Sequence, residues 1–250
     1  MGMRGQDTQR RIWRWMAVAI GLGLLAAAGP ATAQDPFEDL DSQFETQGPR
    51  IADPLEPWNR LMFEVNDRLY FYLLKPVARG YKAVVPEPAR LGVRNFFTNL
   101  KAPLRFTACL LQGKGQQAGH ELSAFVINAT FGALGFFTPA NREPALKNLP
   151  AEDLGQSLAV WGIGHGPYLV WPLLGPSSLR DSVGRAGGYF LGPLNYVEPS
   201  ETGLVASGVD TVNTTSLHLG EYEAFKKDAV APYEAMRDIY VQYRQHQVEQ

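Results

Sequence analysis

The chain of 250 residues has a single cysteine, Cys109, so it forms no internal disulfide. Cys109 sits among Thr107, Ala108, Leu110 and Leu111, the setting of a small buried hydrophobe. Histidine is also scarce. His120, His165, His218 and His246 lie far apart, and none pairs with Cys or carboxylates at metal-ligand spacing. His120-Glu121 lacks the second His of a metalloprotease helix. No Gly-x-Ser-x-Gly elbow supplies a hydrolase nucleophile. Gly162-x-Gly164-x-Gly166 lacks the following helix that a phosphate-cradling loop needs. These absences leave no catalytic, metal or cofactor site to name. A basic excess is missing too, which removes the electrostatic footprint of a nucleic-acid partner.

Charge is missing locally as well. From Leu154 to Leu179 there is no formally charged side chain. The stretch holds Trp161, Trp171 and many Leu and Val residues, but Pro167, Pro172 and Pro176 deny it the unbroken backbone bonding of a spanning helix. Irregular apolar backbone of this kind has to be buried in protein, in lipid headgroups or around a cavity. Its alternating Gly162, Gly164 and Gly166 suit either a mobile apolar hairpin hinged at these positions or a static turn meeting positive-φ demands.

The N-terminus carries Arg4, Arg10, Arg11 and Arg14, then an apolar run from Met16 to Gly29 and the small-residue site Ala31-Thr32-Ala33. This predicts an export signal over 1–33, the alternative being an N-terminal anchor helix. Without it Lys+Arg falls from 23 to 19 and Asp+Glu from 25 to 24, leaving a mature chain near −5. Residues 34–51 are acidic and aperiodic, as a flexible linker is.

Beyond Asp53-Pro54, Trp58, Leu61, Met62, Val65, Leu69, Tyr72 and Leu73 recur at helical spacing, with Pro57 in the first turn and Lys75-Pro76 ending or kinking the helix. A second helix starts near Pro88, and Pro103 separates it from a short helical piece reaching Leu111. Leu122 to Asn141 is again uncharged and reads as helical up to Gly135, either a buried helix or one lying in a lipid interface. Glu152-Asp153 favours a helix start. From Glu201 to the end the pattern is amphipathic helix, and no strand-like alternation is sustained anywhere. The expected fold is all-α, as one irregular domain over 52–250.

Several segments together form a signature. They are Asp53-Pro54-Leu55-Glu56-Pro57-Trp58-Asn59-Arg60 with Phe63 and Asn66, Lys75-Pro76-Val77-Ala78, and Pro86-x-Pro88-Ala89-Arg90. Further on come Asn95-Phe96-Phe97-x-Asn99-Leu100, Leu110-Leu111-Gln112-Gly113, Asn128-Ala129-Thr130-x-Gly132 and Gly155-Gln156-Ser157-Leu158. The longest runs from Gly166-Pro167-Tyr168-Leu169-Val170-Trp171 through Pro172 to Ser177, closing with Arg180-Asp181. In order and spacing these resemble the MlaA/VacJ family over roughly residues 53–200. The resemblance implies an irregular, ring-like helical domain embedded in the inner leaflet of the outer membrane, around an amphipathic channel. It implies removal of mislocalised phospholipids from the outer leaflet, delivery to a periplasmic lipid-carrier protein, and association with a trimeric outer-membrane porin. Most members carry a lipobox cysteine; Ala33-Gln34 stands at that junction here, so attachment would rest on the apolar helices. A lipid path needs polar lining between apolar walls, since an unpaired buried headgroup is costly. Asn128 and Thr130 are the lining candidates and Gly162, Gly164 and Gly166 the hinge candidates. The competing expectation is a periplasmic scaffold that binds envelope partners without moving lipid.

Overall fold

The computed structural model describes residues 51–199 and 201–249. The expected export signal and nearly all of the expected linker lie outside them. Helix α1 (Glu56–Leu69) opens on Pro57 and runs into a single wide π-helical stretch, Tyr70–Leu74, before α2 (Lys75–Val84). Pro76 causes the widening: it offers no N–H, and its ring collides with the carbonyl four residues back. The Lys75 N–H accordingly reaches the Tyr70 carbonyl, five residues back. Pro88 and Pro103 sit in the first turns of α3 (Glu87–Leu100) and α4 (Ala102–Leu111), where a missing N–H costs nothing.

Helix α5 (Gly115–Phe131) packs back against α4 through small buried residues, Ala108, Cys109 and Ala118. It stops four residues short of Gly135. Ala133 and Leu134 turn left-handed at φ 52° and 59°, and the Phe137 N–H reaches the Gly132 carbonyl at 2.8 Å. The chain folds back so closely that a Cβ on Gly132 would stand 2.2 Å from the Phe137 oxygen.

Asp153 caps α6 (Leu154–Val160), its Oδ1 accepting the Gln156 N–H at 2.9 Å. Two four-residue strands follow, β1 (Tyr168–Trp171) and β2 (Gly175–Ser178), paired antiparallel with Tyr168 opposite Ser178 and Trp171 opposite Gly175. The segment is expected from the sequence to hold either an apolar hairpin or a turn, and it holds a hairpin. β1 is apolar on both faces and β2 is Gly175-Pro176-Ser177-Ser178 with both serines buried, so neither shows an alternation to read. The hairpin's turn, Pro172-Leu173-Leu174, places Leu173 at φ 65°, followed by Gly175 at φ 75°. Helix α7 (Leu179–Tyr189) crosses α6 where Gly184 meets Gly155. Helix α8 (Glu201–Leu217) lies on α2 and α3, α9 (Glu221–Asp228) follows, and α10 (Pro232–Glu249) packs against α6 and β2. The architecture is all-α apart from the hairpin.

The apolar core is small. Met62, Tyr168, Val170 and Tyr233 form its buried cluster, where the hairpin's inner face meets α1 and α10. Among the described residues, buried polar and charged side chains outnumber buried apolar ones, many of which are alanines. No helix among these residues is long and apolar enough to cross a membrane.

Candidate functional site

Helix α1 holds the hairpin by its backbone. Asn59, fully buried, accepts the Val170 N–H at 2.8 Å and donates to the Tyr168 carbonyl at 3.0 Å and to Asp53 at 2.7 Å. Its amide stands in for a neighbouring strand along the edge of β1. Asn66 lies seven residues on, on the same helical face. It repeats the clamp at the hairpin tip, donating to the Trp171 carbonyl at 2.9 Å and accepting the Leu173 N–H at 2.7 Å. The Tyr168 N–H is held in turn by the Ala52 carbonyl at 2.8 Å. The backbone is therefore fixed while Trp171, Leu173 and Leu174 point into solvent, Leu173 with 78% of its surface exposed.

The three candidate hinge glycines precede this hairpin, in the irregular link between α6 and β1. Gly162 and Gly166 have positive φ, 85° and 65°, whereas Gly164 does not. Around a Cβ placed on Gly162 or Gly164 there is open space, while one on Gly166 would press on Leu179 at 3.2 Å. The link is pinned at its ends: the Trp161 Nε1–H donates to the Leu111 carbonyl at 2.9 Å, and the His165 and Pro167 carbonyls accept the Arg180 and Leu179 N–H groups at 3.2 and 3.0 Å. The Gly162 and Ile163 N–H groups also bond back to the Ala159 and Leu158 carbonyls, at 2.9 and 3.0 Å, which leaves Gly164 as the hinge candidate with both open space and no positive φ.

Beneath the link lies a buried charge network. Arg244 of α10 donates to both oxygens of Asp181, at 2.8 and 2.9 Å, and to both of Asp153, at 2.6 and 3.1 Å. Arg180 donates to Asp181 at 3.0 Å, and the Tyr240 hydroxyl donates to it as well. Burial alone would raise the Asp181 carboxyl, but the Arg244 guanidinium, with Tyr240 and Arg180, outweighs it and holds the group at about 2. Asp153 is lowered through the same arginine against the same burial. His165 is lowered by burial and then by Arg180. Gly155 makes the packing feasible, since a Cβ there would stand 2.5 Å from Asp181 Oδ1.

A second polar region is a cavity of about 220 Å³ between α3, α4 and α5, lined among others by Asn95, Asn99, Asn128, Thr138 and Asn148. Asn128 accepts the Ala140 N–H at 3.1 Å through Oδ1. Arg105 and Glu121 also line it, held together by paired 3.0 Å contacts to both carboxylate oxygens. Their charges cancel, so the cavity is polar and neutral. Thr130 lies elsewhere, on the exposed face of α5 beside Phe131. The structure separates the two lining candidates.

Outside, the surface is greasy. Trp58, Leu61, Tyr72 and Leu73 of the stripe that marked α1 all face outward, as do Phe131, Leu134, Phe137, Trp161, Ile163, Leu204 and Val205. These exposed apolar side chains are spread over the α1 region, the end of α5 and the turn after it, the link before β1 and α8. Polar groups inside, apolar rings outside and a clamped greasy hairpin define the class: an all-α protein built to work against an amphipathic partner.

The chain belongs to the MlaA lipoprotein family, whose model matches residues 51–247. The intermembrane phospholipid transport system lipoprotein MlaA of Escherichia coli (strain K12) is 31% identical over 195 residues, 76% of each chain. Its namesake from Haemophilus influenzae is 30% identical over 203 residues, 78% of this chain and 79% of that one. A solved structure described as "Structural basis for maintenance of bacterial outer membrane lipid asymmetry" superposes with a TM-score of 0.67 at 29% identity, covering 79% of this chain and 99% of that chain.

Two features were within reach of sequence reasoning but unread. Asn59 and Asn66 sit seven apart in the opening signature, the spacing of one helix face. Arg180-Asp181 closes the signature and is buried. The Arg244 partner, 63 residues further on, gave no local signal.

Proposed function

We propose that this protein is the outer-membrane component of an intermembrane phospholipid transport system, drawing mislocalised phospholipids from the outer leaflet to preserve lipid asymmetry. The observation that carries this is the inverted polarity of a chain whose relatives bear that name. Apolar side chains meet lipid at the surface, and neutral amides inside can receive a headgroup without leaving it unpaired. The domain sits in the inner leaflet by its apolar helices and presents its product to a periplasmic lipid-carrier protein, beside a trimeric porin.

In this reading the Asn-lined cavity is polar lining of the lipid path, with Asn128 as one of its contacts. Thr130 meets lipid headgroups on the outer face of α5 instead. The Gly162–Gly166 link lets the hairpin shift together with helix α1, to which its backbone is clamped. The test is a clean deletion in the native organism, with phospholipid in the outer leaflet measured by surface labelling. Accumulation that returns to normal on complementation is expected. Normal outer-leaflet composition in the deletion strain would overturn the reading, and release of the protein with the periplasm without detergent would favour a scaffold.

A further inference from the structure

Two cavities meet at Phe63. The first, about 240 Å³, lies between α1, the inner face of the hairpin and the α9–α10 corner, walled by Phe63, Tyr70, Tyr168, Val170, Tyr222 and Met236. The second, about 550 Å³, lies across Phe63 and is bordered by two cations, Arg60 and Lys226, and three carboxylates, Glu64, Asp67 and Glu234. Both are separate from the Asn-lined cavity.

The first cavity offers little to water. The Tyr70 hydroxyl is turned to Glu223 at 2.8 Å and the Tyr222 hydroxyl to Asp67 at 2.9 Å, and Asn66 on its rim has both amide atoms bound to the hairpin. Apolar cavities of roughly 150 Å³ stay dry and take up benzene-sized molecules. A larger slot of this kind has room for a length of hydrocarbon chain. The second cavity is its opposite. Lys226 pairs with Asp67 at 2.7 Å, and Arg60 with Glu56 at 2.7 Å and with Glu234. Both cations are partly exposed, so either can exchange a carboxylate for a phosphate oxygen, and the carboxylate so freed, with Glu64, faces the ammonium of a zwitterionic headgroup. A greasy slot opening beside a charged, solvent-reached mouth has the two-part chemistry of an amphipath.

We propose that this pair of cavities binds one phospholipid, with a single acyl chain in the aromatic slot beneath the hairpin and the phosphate at Arg60 and Lys226. This deepens the transport reading and rests on it. Val170 is part of the slot wall and Asn66 part of its rim, so release of the Asn66 clamp at the hairpin tip opens the slot. A free fatty acid shares the same chemistry, an acyl chain ending in an anion, and the test separates the two.

The experiment uses the full chain in mild detergent with a phosphatidylethanolamine carrying a diazirine near the end of one acyl chain. After irradiation, labelled peptides are mapped by mass spectrometry, with unlabelled phosphatidylethanolamine and palmitate as competitors. Labelling is expected on the α1 and α9–α10 peptides, competed by phospholipid and not by palmitate. Met236→Trp, which fills the slot, lowers it several-fold. So does the double variant Arg60→Gln with Lys226→Gln, which leaves the apolar wall intact. Unchanged labelling in both variants, or label confined to the Asn-lined cavity or the outer surface, overturns the site while phospholipid binding stands. Equal competition by palmitate overturns the phospholipid assignment. The transport reading itself falls only to the deletion-strain result, which this measurement does not touch.

Discussion

Asn59 Oδ1 accepts the backbone N–H of Val170 at 2.8 Å, across 111 positions of chain. A side chain here completes a β-strand's edge, since among the described residues no strand other than β2 lies beside β1. Asn59→Ala leaves a buried N–H and carbonyl without partners, at a cost of about 3 kcal/mol and a Tm lower by roughly 6–12 °C. Thermal unfolding in detergent followed by circular dichroism checks this; an unchanged Tm would refute the clamp. Asn66→Ala, at a more exposed position, costs about 1 kcal/mol and speeds hydrogen exchange at the Leu173 amide.

Asp181 sets an acid limit. Its carboxyl sits at about 2 in the folded chain against an ordinary 3.8. A depressed folded value stabilises the protein above the unfolded one, so the contribution, about 2 kcal/mol, is complete above roughly pH 5 and lost as pH falls toward 2. Asp181→Asn removes this part of the acid dependence. It also lowers stability at neutral pH by about 3–5 kcal/mol, because Arg244 and Arg180 stay buried with fewer partners. Melting curves from pH 7 to 3 read both effects, and parallel curves for the two proteins would contradict them.

The link glycines separate geometry from mobility. Alanine at Gly162 meets a strained positive φ and costs about 1–2 kcal/mol. At Gly164, which has an unstrained φ and open space, alanine leaves stability unchanged. The Gly164 N–H makes no backbone bond among the described residues, so Gly164→Pro forfeits none. If the hairpin moves during transport, Gly164→Pro lets phospholipid accumulate in the outer leaflet of a complemented deletion strain while the melting curve stays in place. Full complementation would make the link a static turn.

Gly155 and Gly184 are a steric contact. A Cβ on Gly184 would lie 2.4 Å from the Gly155 backbone nitrogen. Gly184→Ala therefore forces α6 and α7 apart and costs about 1–3 kcal/mol. Gly208 in α8, with nothing within 4 Å of its Cβ position, behaves oppositely. Gly208→Ala stabilises by up to about 1 kcal/mol. A denaturant midpoint that moves the same way in both variants would contradict this contrast.

Much of the local structure was legible because its cause is local. Pro57, Pro88 and Pro103 start helices, Lys75-Pro76 kinks one, and Asp153 caps one, each through the geometry of a few consecutive residues. Cys109 is buried, as its apolar neighbours indicated, and burial pushes its thiol up to about 11. An apolar hairpin was one of two forms legible in its segment, but its strands were not: four residues each, with β1 apolar on both faces and β2 Gly-Pro-Ser-Ser, they are too short to alternate. Nor was the direction of the α1 stripe. Helical spacing reports that one face is apolar, not whether protein or another apolar medium receives it, and here Met62 faces in while Trp58, Leu61 and Tyr72 face out. Of the lining candidates, Asn128 reaches a cavity and Thr130 does not, a difference of two helical positions that needs a known neighbour to resolve.

The sequence alone determined the family, the helical class and the run that cannot be a membrane span, since these follow from order, periodicity and proline chemistry. Only the tertiary structure decided which polar groups face each other. Asn59 with Val170, Arg244 with Asp181 and Arg90 with Ser216 are each separated by more than sixty residues. A hydrogen bond depends on ångström distances in space, and nothing in one residue's sequence neighbourhood records which distant atom will arrive there.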